Sequence, residues 1–135
     1  MKQVFRVLDS YSVIAYIENE PGAKTMIEIL KAARDTGTDL LFCVINWGEV
    51  YYITRRELGS ERAEEVARLL QSLPIEIINA DAALTRVAAE FKSKHKMSYA
   101  DCFAAALAKS RNAEVVTGDK EFKLVEKEVR IHWID

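Results

Sequence analysis

Short runs rich in apolar residues alternate along the chain with longer segments in which apolar residues recur every three or four positions. The short runs are rich in β-branched or other apolar residues and predict buried strands at 4–8, 40–45, 75–78, 115–117 and 129–134. The longer segments have the spacing and composition of amphipathic helices, at 12–17, 23–34, 47–58, 61–70, 81–91 and 99–110. Strands that alternate with helices predict an α/β fold with a mostly parallel, five-stranded sheet covered by helices on both faces.

Turn residues fall between these segments and do not divide the chain. The glycines and prolines at the boundaries are Pro21, Gly22, Gly37, Gly59, Pro74 and Gly118. The sequence has 135 residues, half of them hydrophobic, which matches one domain with its own core. With no repeat and no linker, we expect a single domain spanning residues 1–135.

Charge and hydropathy exclude several classes of protein. Nineteen Lys and Arg residues against 21 Asp and Glu residues leave a net charge of −2, which excludes a globally basic protein that coats nucleic acid. The longest apolar run, 102–108, is far shorter than the roughly 18 residues of a membrane span. Because Arg6 and Asp9 interrupt the start of the chain, no secretory signal is expected, and we predict a cytoplasmic protein without a membrane partner. Cys43 and Cys102 lie in apolar runs and are expected to be core residues.

Acidic residues follow predicted strands or open predicted helices at four places. Asp9 comes directly after the first strand, and Asp119 follows the fourth strand after one glycine. Glu49 and Asp101 lie in the first turns of two predicted helices. Because the carboxyl ends of parallel strands meet at one edge of a sheet, we expect these four side chains to converge there.

Four converging carboxylates repel one another, and a bound cation or raised pKa values relieve the repulsion. Oxygen ligands without clustered His or Cys favour a hard ion, Mg²⁺ or Mn²⁺, over Zn²⁺. Carboxylate-held ions are a recurring means of phosphodiester hydrolysis. The pattern therefore predicts a metal site suited to phosphodiester chemistry.

Helix capping is the alternative role of the same acids. The segments 46–49 (Asn-x-x-Glu) and 98–101 (Ser-x-x-Asp) both match an N-cap residue followed three positions later by an acid. Asp9 is suited to capping the helix predicted near Ser12, and Asp119 to an ordinary turn. Capping does not require the four acids to face one another, so their joint placement favours the metal site while each cap stays open.

Four stretches carry a resemblance to a known family: 7–16 (VLDSYSVIAY), 46–50 (NWGEV), 97–102 (MSYADC) and 115–119 (VVTGD). In this order they resemble the PIN domain, and the size of the chain is similar to that of VapC-type toxin ribonucleases of toxin–antitoxin pairs. The resemblance implies a three-layer α/β/α sandwich. It also implies a metal-dependent endoribonuclease that acts as the toxin of a type II toxin–antitoxin pair.

The resemblance also assigns site residues. It implies four catalytic, Mg²⁺- or Mn²⁺-binding acids: Asp9, Glu49, Asp101 and Asp119. It places small hydroxyl residues beside them, in a supporting or water-holding role: Ser10, Ser98 and Thr117. The chain departs from the family at Trp47 and Gly48, where small or polar residues are common, and a glycine there weakens the helix that carries Glu49.

RNA is the implied substrate, and the implied partners are a cognate antitoxin and a second copy of the chain. Tyrosines on the first and third predicted helices belong either to the core or to that interface: Tyr11, Tyr16, Tyr51 and Tyr52. The lysines of segment 92–96 either hold an RNA backbone or form a solvated surface, and His95 among them is expected to be a solvated loop residue.

Two other functions are weighed against the nuclease. An inactive PIN-like interaction module would have a broken set of acids, whereas all four are present. A phosphoacceptor receiver or an aspartate-nucleophile phosphatase is a different Mg²⁺-dependent α/β domain. The phosphatases usually have Asp-x-Asp after the first strand, but Ser10 and Tyr11 follow Asp9 here. Fold class alone does not separate these domains.

Overall fold

The computed structural model of the chain describes residues 4–135, and within that range five strands form one parallel sheet in the order β3-β2-β1-β4-β5. The strands are β1 (Arg6–Leu8), β2 (Leu40–Cys43), β3 (Ile75–Ile78), β4 (Glu114–Thr117) and β5 (Ile131–Trp133). The helices are α1 (Ser10–Ile17), α2 (Ala23–Thr36), α3 (Val44–Leu58), α4 (Ser60–Ser72), α5 (Ala82–Lys94) and α6 (Tyr99–Arg111), followed by a 3₁₀ helix (Lys120–Val125). The predicted α/β fold with a five-stranded parallel sheet is confirmed.

Successive residues of the central strands point to opposite faces of the sheet and fill two separate cores. Val7, Leu41 and Val115 pack with buried residues of α5 and α6. Their neighbours Leu8, Phe42 and Val116 pack with buried residues of α1, α2, α3 and α4. The sheet is therefore the middle layer of an α/β/α sandwich, as predicted.

Helix α6, which carries the predicted acid Asp101, is largely buried. All eight residues of the segment 101–108 are buried, and most of them are alanine or other small or apolar residues. A helix that is apolar on every side packs into the interior. Asp101 therefore lies in the first turn of a buried helix, where its carboxyl group has little access to water.

The start of α3 differs from the prediction. Strand β2 ends at Cys43 and the helix begins at Val44 without a loop, although Val44 and Ile45 have strand-forming side chains. Asn46 is therefore an internal residue of α3, and Glu49 lies in the second turn rather than the first. The prediction that Asn46 and Glu49 form a helix cap is wrong, because tertiary packing overrides the local preference for strand.

Other features of the described chain agree with the sequence. Cys43 and Cys102 are buried and carry free thiols, and burial raises the pKa of each. Within residues 4–135, no helix has the length and hydropathy needed to cross a membrane.

Candidate metal centre

Asp9 lies at the junction of β1 and α1 and is completely buried. Its Oδ1 accepts a hydrogen bond of 2.8 Å from the backbone N–H of Ser12, and its own N–H donates to Oγ of Ser12 at 3.2 Å. This reciprocal pair is a capping box, so the predicted capping role of Asp9 is confirmed for a helix that begins at Ser10. The second carboxylate oxygen takes no part in the cap and points to β4.

Thr117, the last residue of β4, connects two of the predicted acids. Its hydroxyl donates a hydrogen bond to Oδ2 of Asp9. The hydroxyl oxygen of Thr117 itself accepts a hydrogen bond of 2.9 Å from the backbone N–H of Asp119. Parallel pairing of Leu8 with Val116 brings the ends of β1 and β4 side by side, which is why these residues meet.

Asp101 is positioned by the cap of α6. Oγ of Ser98 accepts a hydrogen bond of 3.2 Å from the backbone N–H of Asp101, so the predicted cap at Ser98 is confirmed. The backbone N–H of Ser98 donates to Oε1 of Glu121 at 3.3 Å. The start of α6 is thereby joined to the 3₁₀ helix that follows β4.

Three carboxylates meet at this junction. One oxygen each from Asp101, Asp119 and Glu121 lies within 4.8 Å of the other two. Oδ1 of Asp119 also accepts a hydrogen bond of 2.9 Å from the backbone N–H of Glu121, which holds the two acids of the 3₁₀ segment together. The group consists only of carboxylates, which is the ligand chemistry that hard divalent ions prefer.

Burial and the charges of neighbouring carboxylates favour the protonated forms of Asp9 and Asp101. Burial raises the pKa of Asp9 to about 7, against the hydrogen bonds from Thr117 and Ser12 that lower it. Burial also raises the pKa of Asp101 to about 9, helped by hydrogen bonding with Glu121 and by the charges of Asp119 and Asp9. A bound cation reverses this balance, because it stabilises the ionised carboxylates.

Glu121 was not predicted as a site residue, yet it belongs to the three-carboxylate group, whereas the predicted Glu49 does not. Glu49 is half-buried in the second turn of α3 and is not a member of the three-carboxylate group. Glu121 follows Asp119 by two residues, in a segment that leaves the carboxyl end of a strand. That spacing could have identified Glu121 as a metal-ligand candidate, but only if the segment after β4 were known to turn back towards α6.

The predicted hydroxyl residues take different places. Thr117 and Ser98 contact the acid-bearing segments, as described above, whereas the hydroxyl of Ser10 donates to the backbone carbonyl of Asn46 at 3.3 Å. The buried side chain of Asn46 donates in turn to the carbonyl of Ala100 at 3.0 Å. Asn46 thus connects the start of α1 to the start of α6. Ser12, rather than the predicted Ser10, is the serine that contacts Asp9.

The lysine-rich segment and the tyrosines lie outside the carboxylate group. Nζ of Lys92 donates to the carbonyl of Met97 at 2.6 Å, and Nε2 of His95 lies 3.0 Å from Oε2 of Glu128. His95 follows the last residue of α5 and is a loop residue as predicted, but its half-buried side chain has a carboxylate partner and is not freely solvated. Tyr11 and Tyr16 pack against the core, and Tyr52 is exposed on α3 with the guanidinium of Arg56 above its ring.

The sequence profile of the PIN domain matches residues 6–128. The chain belongs to the PIN domain family. The match contains every acid described above, and the resemblance expected from the sequence is confirmed. A comparison with curated proteins finds no significant match.

Solved structures of the same fold come from VapBC complexes and a related toxin. A chain of VapBC2 from Rickettsia felis, bound to a promoter DNA fragment, is 18% identical with a TM-score of 0.77 over 96% of this chain and 98% of that one. A chain of the DNA-bound VapBC from Salmonella typhimurium is 24% identical with a TM-score of 0.77 over 98% and 100%. VapC20 from Mycobacterium tuberculosis, a toxin that cleaves the sarcin–ricin loop, is 16% identical with a TM-score of 0.71 over 89% and 94%.

Proposed function

We propose that this PIN domain is a Mg²⁺- or Mn²⁺-dependent endoribonuclease and the toxin of a toxin–antitoxin pair. The observation that carries the proposal is the meeting of Asp101, Asp119 and Glu121 within 4.8 Å at the carboxyl edge of the sheet. Asp9 joins this group through Thr117. Similarity to VapC20, a toxin that cleaves the sarcin–ricin loop, and to VapBC complexes supports the choice of reaction and partner.

The residues of such a site have different roles. Asp101, Asp119 and Glu121 would hold the ion, with Asp9 beside them as a buried fourth carboxylate. A bound divalent ion supplies acidity to a coordinated water and stabilises negative charge on the phosphate. Thr117 and Ser98 keep the acids in place through the hydrogen bonds described above.

Glu49 is the remaining acid that the resemblance assigns to the site. It lies on α3, one turn after Asn46, whose side chain contacts Ala100 next to Asp101. We propose that Glu49 acts in the same site without being one of the three closest ligands. Whether Glu49 holds a second ion depends on how many ions the site binds, and a titration with Mn²⁺ measures that number.

A second copy of this chain and a cognate antitoxin are the proposed protein partners. Exposed apolar side chains on α3 support a contact surface there, namely Ile45, Tyr52 and Leu58. A cytoplasmic location belongs to the same proposal, because an RNA substrate and an antitoxin are found there.

Cleavage assays test the proposal directly. Purified wild type and Asp101→Asn are incubated with structured and unstructured RNA in EDTA, Mg²⁺ or Mn²⁺, and RNA fragments are followed over time. Asp81→Asn is the matched control, because Asp81 caps α5 through Leu84 and lies outside the carboxylate group. We expect cleavage that needs metal, is lost in Asp101→Asn and persists in Asp81→Asn.

The opposite result assigns the acids a structural role only. If the wild type binds neither ion and cleaves no RNA, the nuclease proposal fails and the chain is an interaction module on the PIN fold. The acids then act as helix caps, as Asp9 and Asp119 do in this structure.

A further inference from the structure

A cavity of about 410 Å³ opens at the carboxyl ends of β4 and β5. Its lining residues are Gly118, Lys120, Lys123, Trp133 and Asp135. Its volume is within the range of pockets that bind small organic ligands, roughly 300–1,000 Å³. Nothing in the proposed metal chemistry uses these five residues.

The cavity lies at the same edge of the sheet as the acids. Trp133 ends β5 opposite Thr117 of β4, and neighbouring strands are about 4.8 Å apart. Gly118 and Lys120 are the two residues that flank Asp119 in the chain. The cavity and the carboxylate group therefore lie at the same edge of the sheet, on either side of the end of β4.

The lining combines an aromatic surface with two cations. Lys120 and Lys123 are exposed, and within residues 4–135 neither takes part in an ion pair, so their ammonium groups are available to a ligand. Trp133 is half-buried and offers a flat indole, the kind of surface on which nucleobases stack. Asp135, the acidic member, accepts a hydrogen bond of 2.9 Å from the hydroxyl of Tyr11.

The lysines of segment 92–96 are less suited to the same task. Lys92 is already bonded to the carbonyl of Met97, and Lys94 lines a separate small cavity near Phe91 and Glu128. Neither is next to a residue of the carboxylate group in the chain, whereas Lys120 directly follows Asp119. The positive charge nearest the acids along the chain is therefore that of the 3₁₀ segment.

We propose that the cavity is a nucleotide subsite, in which Trp133 stacks on a base next to the cleaved phosphodiester and Lys120 and Lys123 bind the phosphate of that nucleotide. The proposal rests on the nuclease function proposed above and names its substrate contacts. It makes Trp133 a determinant of which base flanks the cut, since stacking strength differs among bases. The lysines offset the repulsion between RNA and the neighbouring acids.

Fluorescence of Trp133 provides a test that does not depend on cleavage. The chain has two tryptophans, Trp47 and Trp133, so Trp47→Phe leaves Trp133 as the single reporter. Phenylalanine keeps an aromatic ring at a position where Trp47 stacks on Tyr51. This variant is titrated in EDTA with the four ribonucleoside 5′-monophosphates, with ribose 5-phosphate as a probe that lacks a base.

We expect saturable quenching by mononucleotides and none by ribose 5-phosphate. Adding Lys120→Ala and Lys123→Ala should raise the Kd at least roughly fivefold, because each removes a phosphate contact. The matched control carries Lys24→Ala and Lys31→Ala, the same change in charge on exposed positions of α2, and should leave the Kd unchanged. Equal weakening in both pairs would overturn the assigned phosphate contacts.

A cleavage assay distinguishes failure of the subsite proposal from failure of the nuclease proposal. In a short RNA, the Lys120 and Lys123 double variant should raise KM with little change in kcat, and Trp133→Leu should change the preferred base at the cut while keeping an apolar residue against the core. Metal-dependent cleavage with no quenching and an unchanged KM overturns the subsite and leaves the nuclease intact. Quenching by mononucleotides without cleavage in any metal supports the nucleotide site and overturns the nuclease.

Discussion

Thr117 donates a hydrogen bond from its hydroxyl to the buried carboxylate of Asp9, across the junction of β4 and β1. The hydroxyl oxygen of Thr117 also accepts a hydrogen bond of 2.9 Å from the backbone N–H of Asp119. One small side chain thus fixes a carboxylate of the first strand relative to the segment after the fourth strand. The relative position of the acids is set at this point of the fold.

Replacing Thr117 with valine removes this hydroxyl and keeps the shape of the side chain. We expect RNA cleavage to fall roughly 10- to 100-fold, as is usual when a residue that orients a metal ligand is lost. Asp9 loses a hydrogen bond that lowers its pKa, so the pH needed for activity should rise. Cleavage rates measured across pH check both effects. Thr117→Ser keeps the hydroxyl and should retain most activity, and equal loss in both variants would contradict the role given to the hydroxyl.

Stability of the metal-free protein should fall as the pH rises. The folded-state pKa values of Asp9, about 7, and Asp101, about 9, lie above the value of 3.8 expected in the unfolded chain. Both groups therefore keep protons on folding that they release on unfolding. Their contribution is complete below about pH 4 and is lost as the pH rises to about 7 and then about 9, at up to about 1.4 kcal/mol per pH unit for each proton.

Urea unfolding in EDTA between about pH 5 and pH 9 measures this slope. Added Mn²⁺ should flatten it, because the ion binds the ionised carboxylates of the folded state. A free energy of unfolding that rises over this range in EDTA would contradict the burial of protonated acids.

Asp101→Asn should stabilise the metal-free protein while removing its response to metal. Asparagine is neutral and donates hydrogen bonds, so it replaces a protonated Asp101 beside Glu121 without the cost of ionisation. We expect a higher Tm than the wild type in EDTA near pH 8, and no further rise with Mn²⁺. Asp81→Asn changes an exposed cap residue and should keep the Mn²⁺-induced rise. A lower Tm for Asp101→Asn in EDTA would argue against a protonated Asp101.

Glu121→Gln and Glu49→Gln distinguish the two candidates for the remaining carboxylate ligand. Glu121 meets Asp101 and Asp119 within 4.8 Å, so Glu121→Gln should weaken Mn²⁺ binding by roughly tenfold or more. The matched change at Glu49 should weaken the first binding event less. Calorimetric titration with Mn²⁺ at one pH measures both, and the reverse order would make Glu49 the closer ligand.

Gly118 and Gly48 provide a matched pair of alanine substitutions. A Cβ at Gly118 would overlap the ring of Tyr11, whereas a Cβ at Gly48 meets no atom within 4 Å. We expect Gly118→Ala to cost about 1–3 kcal/mol of folding free energy through overpacking. Gly48→Ala, inside α3, should instead add about 0.5–1 kcal/mol. Urea unfolding of the two variants measures the difference, and a neutral Gly118→Ala would mean that the Tyr11 ring moves freely.

Interactions within a few residues were predictable from the sequence alone. Alternate burial along a strand assigns Val7 and Leu8 to opposite cores, and the sandwich follows from that alternation and the helices between the strands. The caps at Asp9 and Ser98 join residues three positions apart, so their side chains reach the backbone whatever the rest of the fold does.

Only the tertiary structure decided which carboxylates meet. The start of α3 at Val44 instead of Trp47 turns Glu49 into a second-turn residue, and the path of the 3₁₀ helix brings Glu121 back to Asp101 across a separation of 20 positions in the chain. Neither outcome follows from local preference, because packing against the sheet sets where a helix begins and which way it is rotated. The sequence by itself determined the order of strands and helices along the chain, the caps at Asp9 and Ser98 and the acid-rich edge, whereas packing decided which carboxylates meet.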